Sequence, residues 1–407
     1  MTKDFVFPDY NGKNFINIIN SIKHNFGIND GMALGNKQIK KVLLNKEKVV
    51  FILVDAFGWK FYKGVRDDSK FFKEIRKHGI EEKITSQFPS TTTAHVTSVV
   101  TGKGVSTHGF FEWFTYDPKI DEVFTPFLFD YEGKEEIIPN DNIFKELKEN
   151  GVSSTIITPS YINNSYYSRE LFKDGKVKGY ESVEEMFNIL LQGIKKDKGK
   201  NFYYIYYPEI DSIGHEYGMS SYKAYFEINN FIKALDNFYN NVLDEGVNEG
   251  TFILSADHGQ MEIKDKIYLN EIIPNIEEYM IKDFKGKSIV PVGYNRDMFL
   301  YIKKEFETYV YQLLKEKFKD KGKVYLVKDL IDKGIFINPS ITFLSRVGNI
   351  VIIPYDGYGV WWYEKGKYEI SLKGSHGGLT KDEMEIPLLI YNFENLGCDK
   401  EWIMLNI

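Results

Sequence analysis

Cysteine is nearly missing from this chain: Cys398 is the only one in 407 residues. That excludes an internal disulfide framework and fits a reducing, cytoplasmic compartment. Arginine is almost as scarce, occurring only at Arg66, Arg76, Arg169, Arg296 and Arg346. There is no basic excess either, since the formal net charge is −6, which argues against a general nucleic-acid-binding surface. No apolar run approaches membrane-spanning length, and the start Met1-Thr2-Lys3-Asp4-Phe5 carries no apolar leader core, so no membrane association is expected. Internal repeats and low-complexity linkers are absent as well. What remains is ordinary globular composition, 43% hydrophobic and 27% charged, in a chain long enough for one large domain with an insert, or for two domains.

Strand-like and helix-like stretches alternate. Lys48 to Val54 is a continuous apolar run, the mark of a strand buried on both faces. Further strands are expected over 84–88, 123–129, 154–158, 201–207, 250–255 and 387–391. Helices are expected over 14–25, 69–78, 142–150, 183–195 and 221–243. This predicts an α/β fold with a mainly parallel central sheet flanked by helices. The rhythm changes between Gln260 and Lys373, where a helix over 306–318, a short strand over 324–327 and antiparallel strands over 347–354 and 359–363 are expected. That block reads as a small α+β cap (260–373) inserted into a core formed by 1–259 and 374–407.

The chemistry-bearing residues cluster where the strands end. Phe88-Pro89-Ser90-Thr91-Thr92-Thr93-Ala94-His95 reads as strand, turn and helix, with hydroxyls at the helix N-terminus. Backbone N–H groups and the helix dipole favour an anion there, although Ser and Thr are also ordinary N-caps. Asp55, followed by Ala56-Phe57-Gly58, ends the first buried strand, where α/β sheets place ligands. Asp211 and His215 stand four apart and can converge on one metal in either a helical turn or a loop. Asp257-His258-Gly259 ends another strand, and His376-Gly377 precedes the last. Of the seven histidines, three thus lie in Gly-flanked loops, two of them close to an Asp.

The ordered set Asp55, Thr92, Asp211-x-x-x-His215, Asp257-His258-Gly259 and His376-Gly377 resembles the alkaline phosphatase superfamily, and within it the nucleotide pyrophosphatase/phosphodiesterase (type I phosphodiesterase) branch. The resemblance covers roughly 46–395. It implies two divalent cations, zinc first, with manganese or iron as the other choices. Asp211, His215 and His376 would hold one, and Asp55, Asp257, His258 and the Thr92 hydroxyl the other. It also implies Thr92 as nucleophile, with Thr91 as the fallback, and a covalent phospho-threonine intermediate that water then hydrolyses. Such a donor set of carboxylates and imidazoles suits zinc, and a threonine hydroxyl needs metal assistance because no Lys or general-base His lies within its motif.

The chain departs from the branch at two places. Thr93 stands where an aromatic residue commonly helps to stack a nucleobase, and Trp113 replaces a phosphate-contacting Asn. Trp113, Tyr161 and Arg169 are the candidate substrate-binding residues, while His95 is expected to pack or hydrogen-bond within its helix. The expected activity is cleavage of phosphodiester or pyrophosphate bonds in a small-molecule phosphate ester. Alternatives on the same scaffold are a phosphomonoesterase, a phosphonate hydrolase, or a catalytically silent metal-binding or interaction protein. Cofactor-independent phosphoglycerate mutases carry a large insert after the nucleophile, for which the 119 positions (211 − 92) between Thr92 and Asp211 leave no room. Sulfatases need a Cys- or Ser-based modification motif that the sole cysteine, at 398, does not supply.

Overall fold

The computed structural model describes residues 5–395, so Cys398 lies outside the described residues. The strands that place the site are β1 (Lys48–Val54), β2 (Ile80–Thr85), β3 (Ser153–Pro159), β4 (Lys176–Tyr180), β5 (Asn201–Tyr207) and β6 (Thr251–Ser255). Then come β7 (Met298–Leu300), β8 (Gly322–Leu326), β9 (Ile350–Pro354) and β10 (Glu385–Asn392). Seven of them form the central sheet, in the order β2-β10-β6-β1-β5-β3-β4. All residues of β1 and β5 are buried, as a strand covered by helices on both faces must be. Only β10 runs against the others, pairing antiparallel with both β2 and β6.

This topology decides where the functional side chains meet. The parallel ladders align Val54 with Tyr207 and Leu53 with Ser255, so β1, β5 and β6 end at the same edge. Because β10 is reversed, its amino end lies at that edge too, together with the loop before it that carries His376. The helices include α1 (Phe15–Asn25), α2 (Lys70–His78), α3 (Thr92–Thr101), α4 (Val183–Lys196), α5 (Glu209–Tyr217), α6 (Tyr222–Asp244) and α7 (Glu307–Phe318). Apolar faces of α1, α4 and α6 seal the sheet through residues such as Phe15, Ile19, Leu190, Phe231 and Leu235, all at 0% exposure.

Two sequence expectations need correction on the core side. The strand expected at 84–88 is instead Ile80–Thr85, because its ladder with β10 ends at Thr85 opposite Glu385. The strand expected at 123–129 is only Glu122–Phe124, paired with Thr115–Asp117; Pro126, which has no N–H to donate, lies just beyond it.

In the 260–373 segment, β9 is the centre of an antiparallel sheet, β7-β9-β8. The expected strand at 359–363 does not pair with β9. Tyr358–Trp361 runs parallel to Asp265–Tyr268, since Gly357 turns the chain away with φ 84°. The segment is bound tightly to the rest. Phe88, Ala94 and Phe111 share one apolar cluster with Val292, Phe299, Phe343 and Val351. Two fully buried ion pairs cross the boundary. Arg296 donates to both carboxylate oxygens of Glu383, at 2.9 and 3.0 Å, and Arg346 donates to Asp117 at 2.6 Å. Removing one partner of such a pair strands a buried charge, at a cost of about 3–5 kcal/mol.

Candidate active site

Asp55 is delivered by the end of β1, and its backbone N–H extends the ladder to Tyr207 O at 2.9 Å. The next residue, Ala56, takes a left-handed conformation (φ 57°), and its N–H donates to Asp257 Oδ1 at 3.1 Å. This uncommon turn for an L-residue ties the Asp55 loop to the Asp257 loop. Glycine is required where the two loops touch. A Cβ on Gly58 would lie 2.6 Å from Gly259 Cα, and one on Gly259 would lie 2.1 Å from Asp382 O.

Asp211 and His215 sit on successive turns of α5 and face one way; His215 Nε2 is 3.1 Å from Asp211 Oδ2. Thr92 is the first helical residue of α3, after an N-cap (Thr91) whose side chain caps nothing. The Thr92 hydroxyl lies 3.3 and 3.4 Å from the Asp55 carboxylate oxygens and 3.2 Å from His258 Nε2. All seven expected metal-ligating side chains therefore converge on one centre. Asp55, Asp257 and His258 present donor atoms within 4.8 Å of one another, and so do Asp211, His258 and His376. His258 stands in both groups, its ring stacked 3.7 Å from that of His376.

The histidine tautomers explain what the site is built to hold. His215 Nδ1 faces Gly374 O at 2.8 Å, His258 Nδ1 faces Gly259 O at 3.1 Å, and His376 Nδ1 faces Ser90 O at 3.0 Å. A carbonyl only accepts, so each Nδ1 carries the proton and each Nε2 of a neutral ring points a lone pair inward. Two of those lone pairs, on His215 and His376, are 3.1 Å apart. Asp257 Oδ2 is buried without a hydrogen-bond partner. Inward lone pairs beside three buried carboxylates, one of whose oxygens (Asp257 Oδ2) has no partner, with the outer nitrogens fixed by backbone, fit divalent cations.

The protonation pattern agrees. Burial, then the neighbouring Asp257 and Asp211, push the Asp55 carboxyl well above the carboxylate range. Burial raises Asp257 to about 7. Burial and the adjacent His376 hold His258 far below the ordinary imidazole value. Against burial, which would raise it, the His215 and His376 rings pull Asp211 down. Burial in turn opposes protonation of His215, but the Asp211 carboxylate raises it. These are the responses of ligands crowded together in a low-dielectric site.

Other candidates separate cleanly. Trp113 and Tyr161 line a cavity of about 560 Å³ that opens from Asp55, Thr92, Asp211 and His376. Arg169 does not line it; the guanidinium lies over the Tyr166 ring, 5.8 Å from its centroid. Thr93 is fully buried, so its position offers no platform to the cavity. His95 is a positioning residue: Nδ1 donates to Thr91 O at 2.7 Å, and Nε2 accepts from Gln87 N at 3.0 Å, which braces the loop before Thr92. Lys103, just past α3, pairs with Asp30 at 3.0 Å.

Sequence reading missed Tyr206 as a partner of the site; its hydroxyl donates to Asp55 Oδ2 at 2.6 Å. It also missed Glu112 and Asp297. These two buried carboxyls hydrogen-bond to each other, and burial pushes Glu112 up to about 7 and Asp297 well above its usual range. One proton must be shared, because a carboxylate cannot donate. The folded protein thus retains a proton that the unfolded chain releases near ordinary carboxyl values. The stability tied to Glu112's own protonation is present below about pH 4 and is lost as the pH rises through about 7. Glu112→Gln should therefore unfold at a higher temperature than wild type at pH 8, by about 2 kcal/mol of stability, and show no such gain at pH 5. Thermal unfolding of the metal-loaded proteins at the two pH values measures this.

The sequence pattern of the family described as type I phosphodiesterase / nucleotide pyrophosphatase matches residues 49–379. The chain belongs to this family. Human ectonucleotide pyrophosphatase/phosphodiesterase family member 1 is 28% identical over 210 residues, which is 48% of this chain and 21% of that protein. The chain therefore spans about a fifth of the length of that relative. Murine ectonucleotide pyrophosphatase/phosphodiesterase 5 superposes with a TM-score of 0.64 at 18% identity, covering 84% of this chain and 88% of that one. An inactive Thr-to-Ala variant of the murine protein, in complex with AMP, matches equally well, with a TM-score of 0.64 at 18% identity over 85% and 88% of the two chains. Phosphonoacetate hydrolase from Sinorhizobium meliloti 1021 gives a TM-score of 0.60 at 15% identity, covering 85% and 90%. These superpositions establish an alkaline phosphatase-like fold.

Proposed function

We propose that this protein is a metal-dependent hydrolase of small phosphodiesters, with Thr92 as nucleophile and two divalent cations, zinc first, as cofactors. The observation that carries this reading is the set of three imidazoles, each fixed through Nδ1, that aim Nε2 at buried carboxylates around the Thr92 hydroxyl. Asp55, Asp257, His258 and Thr92 would hold one cation, and Asp211, His215 and His376 the other. Bound there, such cations lower the pKa of a hydroxyl and neutralise charge building on phosphoryl oxygens.

The protein's own residues do the rest. Asp55 holds the Thr92 hydroxyl in the cavity lining, and the first turn of α3 directs the positive end of its dipole towards the phosphoryl group. Thr92 Oγ1 forms the new bond to phosphorus while the ester bond breaks, its electron pair leaving with the alcohol oxygen, which takes up a proton. Water then attacks phosphorus, returning the Thr92 hydroxyl and releasing a phosphate monoester. Support for the nucleophile comes from the murine relative, in which a Thr-to-Ala variant is inactive and carries AMP. The cytoplasmic location is carried only by the cysteine count and is tested by cell fractionation.

A diester fits better than a monoester because the five arginines are engaged elsewhere. Arg66 pairs with Glu81, Arg76 with Asp67, Arg296 with Glu383 and Arg346 with Asp117, while Arg169 lies over Tyr166. A dianionic phosphoryl group would meet no guanidinium, and fixed charge of that kind is worth about a hundredfold in rate. For the metal-loaded protein, kcat/KM for an aryl phosphodiester should exceed that for the matching monoester, and Arg169→Ala should leave the ratio unchanged. A monoester preference that disappears in Arg169→Ala would overturn the diesterase assignment. Screening monoesters, diesters, nucleotide pyrophosphates and phosphonates in parallel makes the comparison complete.

A further inference from the structure

Beyond the reacting centre, the cavity is walled by apolar side chains. Trp113 meets Phe127 edge-on at 6.3 Å, and Phe127 meets Tyr167 at 4.8 Å. Leu128, Ile162 and Phe172 complete this arm. Three of the hydroxyls along it are already engaged, Ser165 with Ser168 at 2.9 Å, Tyr167 with Thr97 at 2.9 Å, and Thr158 with Asn163, while the buried Tyr204 hydroxyl in the lining has no partner among the described residues. Among the described residues no lysine or arginine lines the cavity, and the one further acidic group in the lining, Glu112, brings no positive charge. At the mouth, Leu128 is 74% and Tyr161 70% exposed. Large apolar side chains left open at the rim of an apolar cavity mark a ligand surface.

We propose that this arm binds an uncharged aryl or alkyl substituent of the substrate, so that the preferred substrate is a monoanionic phosphodiester with an apolar arm and not a nucleotide pyrophosphate. This rests on the diesterase reading above. A pyrophosphate carries a second phosphoryl group, whose added charge would sit in the apolar arm without a counter-ion. An alkyl chain instead gains from leaving water in proportion to the area it buries. Trp113 acts in the same direction by walling the arm with an indole.

The test uses the metal-loaded full chain and a series of p-nitrophenyl alkyl phosphodiesters, from methyl through butyl to octyl, kept below micelle-forming concentrations. The leaving group is constant, so chain length alone varies. kcat/KM should rise about two- to fourfold per buried methylene, at least a hundredfold from methyl to octyl, and a dinucleotide pyrophosphate should be turned over more slowly than the octyl ester. Leu128→Lys, at a position too exposed to affect folding, should lower the octyl rate and raise that of the pyrophosphate. A flat chain-length series, or preference for the pyrophosphate by the wild type, overturns the apolar-arm proposal while leaving the diesterase reading intact. Failure to cleave any diester overturns the diesterase reading itself.

Discussion

Thr92→Ala is expected to lower kcat for an aryl phosphodiester by on the order of a thousandfold or more while bound metal stays near the wild-type content. The hydroxyl is the only oxygen of α3 placed within 3.4 Å of both the Asp55 carboxylate and His258. Its loss removes the group that forms the covalent bond, whereas the three carboxylates and three imidazoles of the centre remain. Thr91→Ala should cost little, because the Thr91 side chain makes no capping hydrogen bond to α3. Comparing kcat and metal content of the two variants decides the matter; a larger loss in Thr91→Ala would move the nucleophile by one residue.

The second large effect belongs to His258. His258 Nε2 is the one inward lone pair that the ring offers, since Nδ1 is held by Gly259 O, so His258→Ala should lose about one metal equivalent per chain, as should His215→Ala. Activity should fall in both variants by on the order of a hundredfold or more. Metal analysis after gel filtration, read beside circular dichroism to confirm folding, counts what each variant retains. Wild-type metal content in either folded variant would contradict that histidine's place as a ligand.

Much of this centre was legible in the sequence because its residues follow strands. An apolar run such as Lys48–Val54 announces a buried parallel strand, and topology then places whatever follows it, here Asp55, at the ligand-binding edge. The Asp211/His215 spacing likewise resolves into two turns of one helix. What stayed hidden depends on distant segments. Glu112 and Asp297 lie far apart in sequence and meet only because the 260–373 segment folds back on the loop after α3; no local pattern marks such a pair. Tyr206 points at Asp55 because of the alternation of β5, but in a strand with four tyrosines (Tyr203, Tyr204, Tyr206 and Tyr207) sequence alone cannot say which one matters. Arg169 followed a strand end as well, yet the short helix Tyr166–Phe172 turns it away over Tyr166. The partner of Tyr358–Trp361 was equally out of reach, since parallel pairing with Asp265–Tyr268 is a long-range choice.

The account depends most on two cations acting together beside Thr92. Zinc titration of chelator-stripped protein, followed by diesterase rate, tests that directly. Activity absent in the stripped protein and saturating at two equivalents per chain is the predicted result. Full activity without added metal, or saturation at one equivalent, would contradict it.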